Sequence, residues 1–128
     1  MTGYLLDTHV LLWWISDDDR LGKQTREIIG NGKNAIFISA ATTWEISIKR
    51  SLGKIQAPEN MDVIVDEERF IRLPISLAHG DMAGSLPILH RDPFDRMLVA
   101  QAIFENLILI TCDTQIMAYK VRTMKSDQ

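Results

Sequence analysis

Short unbroken apolar runs alternate along this chain with longer stretches in which apolar residues recur every three or four positions. "YLLD" (4–7), "AIFIS" (35–39) and "LILIT" (107–111) are runs of the first kind and read as buried strands. "THVLLWWIS" follows the first run and reads as a helix. "RLGKQTREIIGNGK" reads as a second helix, ended by its Gly-Asn-Gly cluster. Ser39 suits the N-cap of a helix over 40–52 that stops at Gly53. The middle is less patterned. "NMDVIVDEERF" and "SLAHGDMAGSLP" fit short helices, and "FIRLPI" (70–75) fits a short strand whose Pro74 assigns it to a sheet edge. A helix from Pro93 to Glu105 precedes the last clear strand, and "DTQIMAYKV" begins a final helix.

Apolar strands alternating with helices predict an α/β fold with a small parallel sheet flanked by helices. Ligand sites in such sheets form at the carboxyl ends of the strands. No repeat, linker or low-complexity tract divides the chain, so a single domain over 1–128 is expected.

Composition adds constraints rather than a function. Apolar residues make up 46% and charged residues 24%, an ordinary globular balance. The net charge of −3 argues against a protein that simply coats nucleic acid. It suits acids gathered around a cation. The lone Cys112 cannot form an internal disulfide, which fits a reducing compartment. The N-terminus runs into a strand without a basic leader, and no apolar run is long enough for a bilayer. A cytoplasmic location with no membrane association is therefore expected.

Acids stand where ligands bind in such a fold. Asp7 ends the first strand and Asp113 follows the last clear one by two residues. Glu45 lies a turn and a half into the helix after the second strand, and helical side chains lean back toward that strand's end. Asp95 is in the first turn of the helix feeding the last strand. That helix is expected to enter from the opposite end of the sheet, so the pattern alone does not bring Asp95 to the other acids. Each acid also has a structural reading. Asp7 and Asp113 can cap helices. Glu45 and Lys49 can form an ordinary exposed i,i+4 pair, although Glu45 borders an apolar stripe.

The stretch "HRDPFDRMLVAQA" (90–102) combines both kinds of role. Asp92 at the N-cap, Pro93 at N1 and an acid at N3 make a favourable helix start, so Asp92 reads as a cap. Asp95 suits the positive end of the helix dipole. The helix behind it is apolar nearly all round and hence buried, so a charge at its mouth needs a partner: Arg96 or a metal. Several acids at the loops of one small domain exceed what capping requires, and Mg2+ takes a few carboxylates together with waters.

Four segments, "LLDTHVLLW", "SAATTWEISIK", "HRDPFDRMLVAQA" and "LITCD", occur in this order. Together they resemble the PIN-domain ribonucleases, most closely the toxins of bacterial VapBC-type toxin–antitoxin pairs. The likeness runs from residue 5 to about residue 121, with 54–86 matching by length more than by motif. It implies a PIN-like fold in which Asp7, Glu45, Asp95 and the more variable Asp113 bind Mg2+ or Mn2+. Water would hydrolyse an RNA phosphodiester in line and leave a 5′-phosphate. The likeness also implies that Thr111 helps to orient that water, and that a VapB-type antitoxin and a second copy of the chain are partners.

Other residues carry weaker expectations. His9, His79 and His90 lack the spacing of a metal triad. His90 reads as a solvated histidine, with an RNA or supporting contact as the alternative. Arg91 and Arg96 are candidate substrate contacts because they neighbour Asp95. Lys49, Arg50 and Lys54 form a second basic cluster, which reads as a solvated face. Trp13 and Trp14 point about 100° apart on a helix, so one is expected in the core and the other at an interface.

Rival readings fit less well. A receiver-like phosphorylated domain wants an acid pair after its first strand and a lysine after its last. A dehalogenase-like phosphatase wants an aspartate where His9 stands. A PIN-like module used only for binding is the strongest non-enzymatic alternative.

Overall fold

The computed structural model describes residues 2–128. Five parallel strands form one sheet: β1 (Gly3–Leu6), β2 (Ala35–Ser39), β3 (Ile71–Leu73), β4 (Ile108–Thr111) and β5 (Thr123–Lys125), in the order β3-β2-β1-β4-β5. Seven helices connect them: α1 (Thr8–Ile15), α2 (Lys23–Gly30), α3 (Ala40–Ser51), α4 (Met61–Glu67), α5 (Leu77–Ser85), α6 (Pro93–Phe104) and α7 (Thr114–Met117). Among the described residues no helix is long and apolar enough to cross a membrane.

The apolar runs become strands because helices cover both faces of the sheet. Successive strand side chains point to opposite faces. Leu6 and Ile110 therefore enter one core with Val10, Leu11, Ile36 and Ile46. Leu5 and Leu109 enter the other with Leu98, Val99 and Ile116. In register, Leu5 pairs with Phe37 on one side and with Leu109 on the other. The helix α6 buries Leu98 through Ala102 without a break, as its nearly all-apolar sequence predicts.

Strand order reverses between β1 and β4. The chain steps outward one way through β2 and β3, then returns to the far side of β1 for β4 and β5. A crevice opens at such a switch point, at the carboxyl ends of the strands. Asp7 and Asp113 follow the two central strands there.

Two expectations change at the C-terminus. The final helix is a single turn, Thr114–Met117, and a fifth strand follows that the sequence pattern does not announce. Three residues, Thr-Met-Lys, are too few to show alternation. Main-chain pairing makes the strand instead, with the Leu109 N–H donating to the Arg122 carbonyl and the Ser126 N–H to the Thr111 carbonyl. The tail after β5 lies against Gly22, where a Cβ would meet the Gln128 main chain at 2.0 Å.

Candidate active site

Asp7, Glu45, Asp92, Asp95 and Asp113 line one small pocket of about 210 Å³ with Thr8, His9, Lys49 and His90. Each acid arrives there for a local reason. Asp7 caps α1, and its Oδ1 accepts the Val10 N–H at 2.9 Å. Its Oδ2 accepts the Thr111 hydroxyl at 2.5 Å. The same hydroxyl oxygen accepts the Asp113 N–H at 3.0 Å. Thr111 is fully buried and does not line the pocket. Its hydroxyl reaches the site through Asp7 and the Asp113 main chain.

Glu45 is buried, so its pairing with Lys49 is not the exposed pair that spacing alone suggests. One carboxylate oxygen accepts the Thr8 hydroxyl and the other the Lys49 ammonium, each at 2.5 Å. Glu45 in turn holds Lys49 above its ordinary pKa. Thr8, which the sequence reading gave no role, thereby fixes an acid 37 residues away.

Asp95 reaches the same pocket, contrary to the expectation for its helix. A crossover helix runs antiparallel to the strands, so α6 begins at the carboxyl edge of the sheet, where the other acids are. Its partner is His90, not Arg96. The His90 Nε2 lies 2.8 Å from Asp95 Oδ2 and 3.4 Å from Asp113 Oδ2. The Nδ1 accepts the Asp92 N–H at 3.4 Å, which assigns the proton of the neutral ring to Nε2, facing the acids. His90 is thus no solvated histidine: its side chain is 11% exposed. Its place two residues before an N-cap acid was the available signal.

Asp92 caps α6 as predicted, accepting from the Phe94 and Asp95 N–H groups, and it also faces the pocket. Burial pushes Asp95 up to about 7, and the charges of Asp92, Glu45 and Asp113 add to the rise against the His90 hydrogen bond. Asp7 is raised too, chiefly by burial, against the lowering effect of Thr111, Val10 and His9.

The arginines fall outside the pocket. The Arg96 guanidinium donates to the carbonyls of Ala83, Leu86, Pro87 and His90 and to the Tyr119 hydroxyl. It braces the 86–91 loop and has little left for a substrate. Arg91 is exposed beside a neighbouring cavity. The Lys49, Arg50 and Lys54 cluster is partly spent as well, since Lys49 holds Glu45 and Arg50 holds the Pro58 carbonyl. Trp13 and Trp14 are both half-buried against one core, so the expected split into one core and one exposed tryptophan is not seen. Trp44 is the exposed tryptophan, at 61%.

The donor set fits a hard divalent cation. Five carboxylates face one pocket, and the single ammonium among its lining residues is already paired. Oxygen donors in excess negative charge are what Mg2+ and Mn2+ select.

A model of the PIN domain matches residues 4–121. The chain belongs to the PIN domain family. Ribonuclease VapC22 of Mycobacterium tuberculosis is 25% identical over 126 residues, 94% of each chain. Ribonuclease VapC16 of the same organism is 37% identical over 62 residues, 47% of this chain and 44% of that relative. Among solved structures, VapBC2 from Rickettsia felis bound to promoter DNA aligns with a TM-score of 0.71 at 19% identity, covering 96% of this chain and 98% of that one. VapBC-1 from nontypeable Haemophilus influenzae gives 0.68 at 19%, covering 99% and 100%. At such identities the structural likeness establishes the PIN fold predicted from the four segments.

Proposed function

We propose that this PIN-domain chain is a metal-dependent endoribonuclease, acting as the toxin of a toxin–antitoxin pair. The observation that carries the reading is the meeting of Asp7, Glu45, Asp95 and Asp113 from four separate elements in one pocket at the strand-order switch. Ribonuclease names on the relatives and VapBC complexes among the structural neighbours support the activity and the toxin role.

In this reading the four acids hold Mg2+ or Mn2+. When bound, such an ion activates water and stabilises charge on a phosphoryl group. The chain's other groups keep the acids in place. Thr111 and the Val10 N–H fix both oxygens of Asp7; Thr8 and Lys49 fix both of Glu45; His90 holds one oxygen of Asp95. Water is the nucleophile, so no side chain needs to form a covalent intermediate, and RNA is left with a 5′-phosphate. A VapB-type antitoxin and a second copy of the chain are the proposed partners. Exposed Trp44, Leu77 and Ile88 are available to such contacts.

The test is cleavage of a labelled RNA pool by the purified chain in Mg2+, in Mn2+ and in EDTA, beside Asp7→Asn. Cutting that needs metal and is lost in the variant supports the reading. Folded protein that cuts nothing in either metal overturns it in favour of a binding module.

A further inference from the structure

Beside the acid pocket lies a second groove, of about 250 Å³, lined by Asp7, His9, Trp13, Cys112 and Asp113. It shares Asp7, His9 and Asp113 with the acid pocket, so the two form one continuous surface. We propose that this groove is a nucleobase subsite, in which Trp13 and His9 stack the base of a single-stranded RNA nucleotide adjoining the scissile phosphate. The proposal rests on the ribonuclease reading for the identity of the neighbouring site.

The geometry suits a flat ring. His9 and Trp13 are four residues apart on α1 and so lie on one face of the helix. Their ring centroids are 5.9 Å apart, with planes inclined at 32°. The Arg20 guanidinium covers the Trp13 ring at 4.9 Å and is not part of the groove lining. Arg20 is itself held by a two-pronged contact to Asp18. The cation over its ring and the core beneath it hold the indole in one orientation at the groove wall. Core packing alone accounts for the half-buried indole. It does not account for an exposed imidazole beside it at the edge of Asp7.

The chemistry narrows the ligand further. Two carboxylates on the groove walls repel a phosphate or an acidic side chain. An uncharged ring with N–H donors meets no such penalty. Pockets for drug-sized molecules run from roughly 300 Å³ upward, so a groove of this size suits one ring system. Charge supplies little RNA affinity at the pocket itself: Lys49 and Arg96 are engaged, and the chain is net negative. Stacking on aromatic rings does not need that charge, and it requires an unpaired base.

The experiment compares binding of a labelled single-stranded octaribonucleotide of mixed sequence, and of versions abasic at one position each, in an Asp95→Asn background. Trp13→Leu and His9→Ala are each expected to weaken binding roughly 5- to 100-fold, the range for loss of one base–aromatic stack. Trp13→Phe should recover part of the loss, and Phe104→Leu, an exposed aromatic at the far end of α6, should lose nothing. One abasic position should abolish the difference between Trp13→Leu and its parent. His9 is exposed and makes no side-chain hydrogen bond among the described residues, so His9→Ala keeps the test open if Trp13→Leu fails to fold. Equal binding by folded His9→Ala and its parent, at every abasic position, overturns the subsite. Cleavage of the same RNA by the unmodified chain in Mn2+ is scored separately. Cutting without any effect of His9 or Trp13 sinks the subsite and spares the nuclease; aromatic-dependent binding without cutting does the reverse.

Discussion

Thr111 and Asp7 are joined across the two central strands by a hydrogen bond of 2.5 Å, from a hydroxyl with no solvent exposure. The oxygen that donates to Asp7 also accepts the Asp113 N–H. One buried side chain thus fixes the carboxylate after β1 and the main chain carrying the acid after β4. Losing a residue that orients a metal-binding carboxylate typically costs about 10- to 100-fold in metal affinity or activity. Thr111→Val should show a loss of that order, and Thr111→Ser should retain most function. Mn2+ titration by calorimetry, run beside the cleavage assay, measures both. Full metal affinity in Thr111→Val would remove Thr111 from any role at the site.

Asp92 and Asp95 make opposite predictions although three residues apart. Asparagine caps a helix as well as aspartate does, so Asp92→Asn should keep the melting temperature of the parent. It should also keep measurable cleavage, and it should lower the pKa of Asp95, because the Asp92 charge is one of the causes that raise it. Asp95→Asn should abolish cleavage while the chain stays folded. Melting curves and RNA cleavage across pH separate the two. Equal loss of activity in both variants would show that Asp92 serves the reaction and not the helix alone.

Arg96 and Arg91 form a second contrasting pair. Arg96 satisfies three carbonyls of the 83–87 segment together with the Tyr119 hydroxyl. A lysine cannot reproduce that fork of donors. Arg96→Lys should destabilise the fold by about 1–3 kcal/mol for buried acceptors left unmade. Arg91→Ala should leave stability within about 0.5 kcal/mol, as exposed substitutions generally do. Urea unfolding of each variant decides, and an unchanged midpoint for Arg96→Lys would remove the bracing role.

The contrast between the two arginines marks where sequence reading works for this chain. Strands buried on both faces announce themselves as apolar runs, and β2 and the α6 start fall where pattern and capping place them. The four acids were readable through the ordered segments, not through spacing alone. The convergence of Asp95 depends on helix direction in a crossover, a fact of topology that a linear pattern does not carry. The partner of each acid was harder still. Thr8 holds Glu45, and His90 holds Asp95, because of distances in space; adjacency in sequence instead favoured Arg96, whose guanidinium turns to the 83–87 carbonyls. The strand β5 is too short for any periodicity to appear.

Asp95 also makes stability depend on pH in a direction opposite to that of an ordinary paired carboxylate. Its pKa rises from 3.8 to about 7 on folding, with burial the largest cause and Asp92, Glu45 and Asp113 adding to it against His90. Between those values the folded chain binds more protons at this site than the unfolded chain does. Stability from this group is therefore fully present below 3.8 and is lost as pH rises through about 7. Asp7, raised by burial, acts in the same sense. Metal-free protein should melt at progressively lower temperature as pH climbs through this window. Asp95→Asn, which carries no charge to bury, should gain on its parent over the same range. A divalent cation neutralises the cluster, so the stabilisation gained from added Mn2+ should be greater above about 7 than well below it. Thermal melts in EDTA and in Mn2+, for both proteins across pH, provide the measurement. If the gap between parent and Asp95→Asn stays flat across the window, burial does not raise the Asp95 pKa, and any pH dependence of the cluster comes from its neighbours.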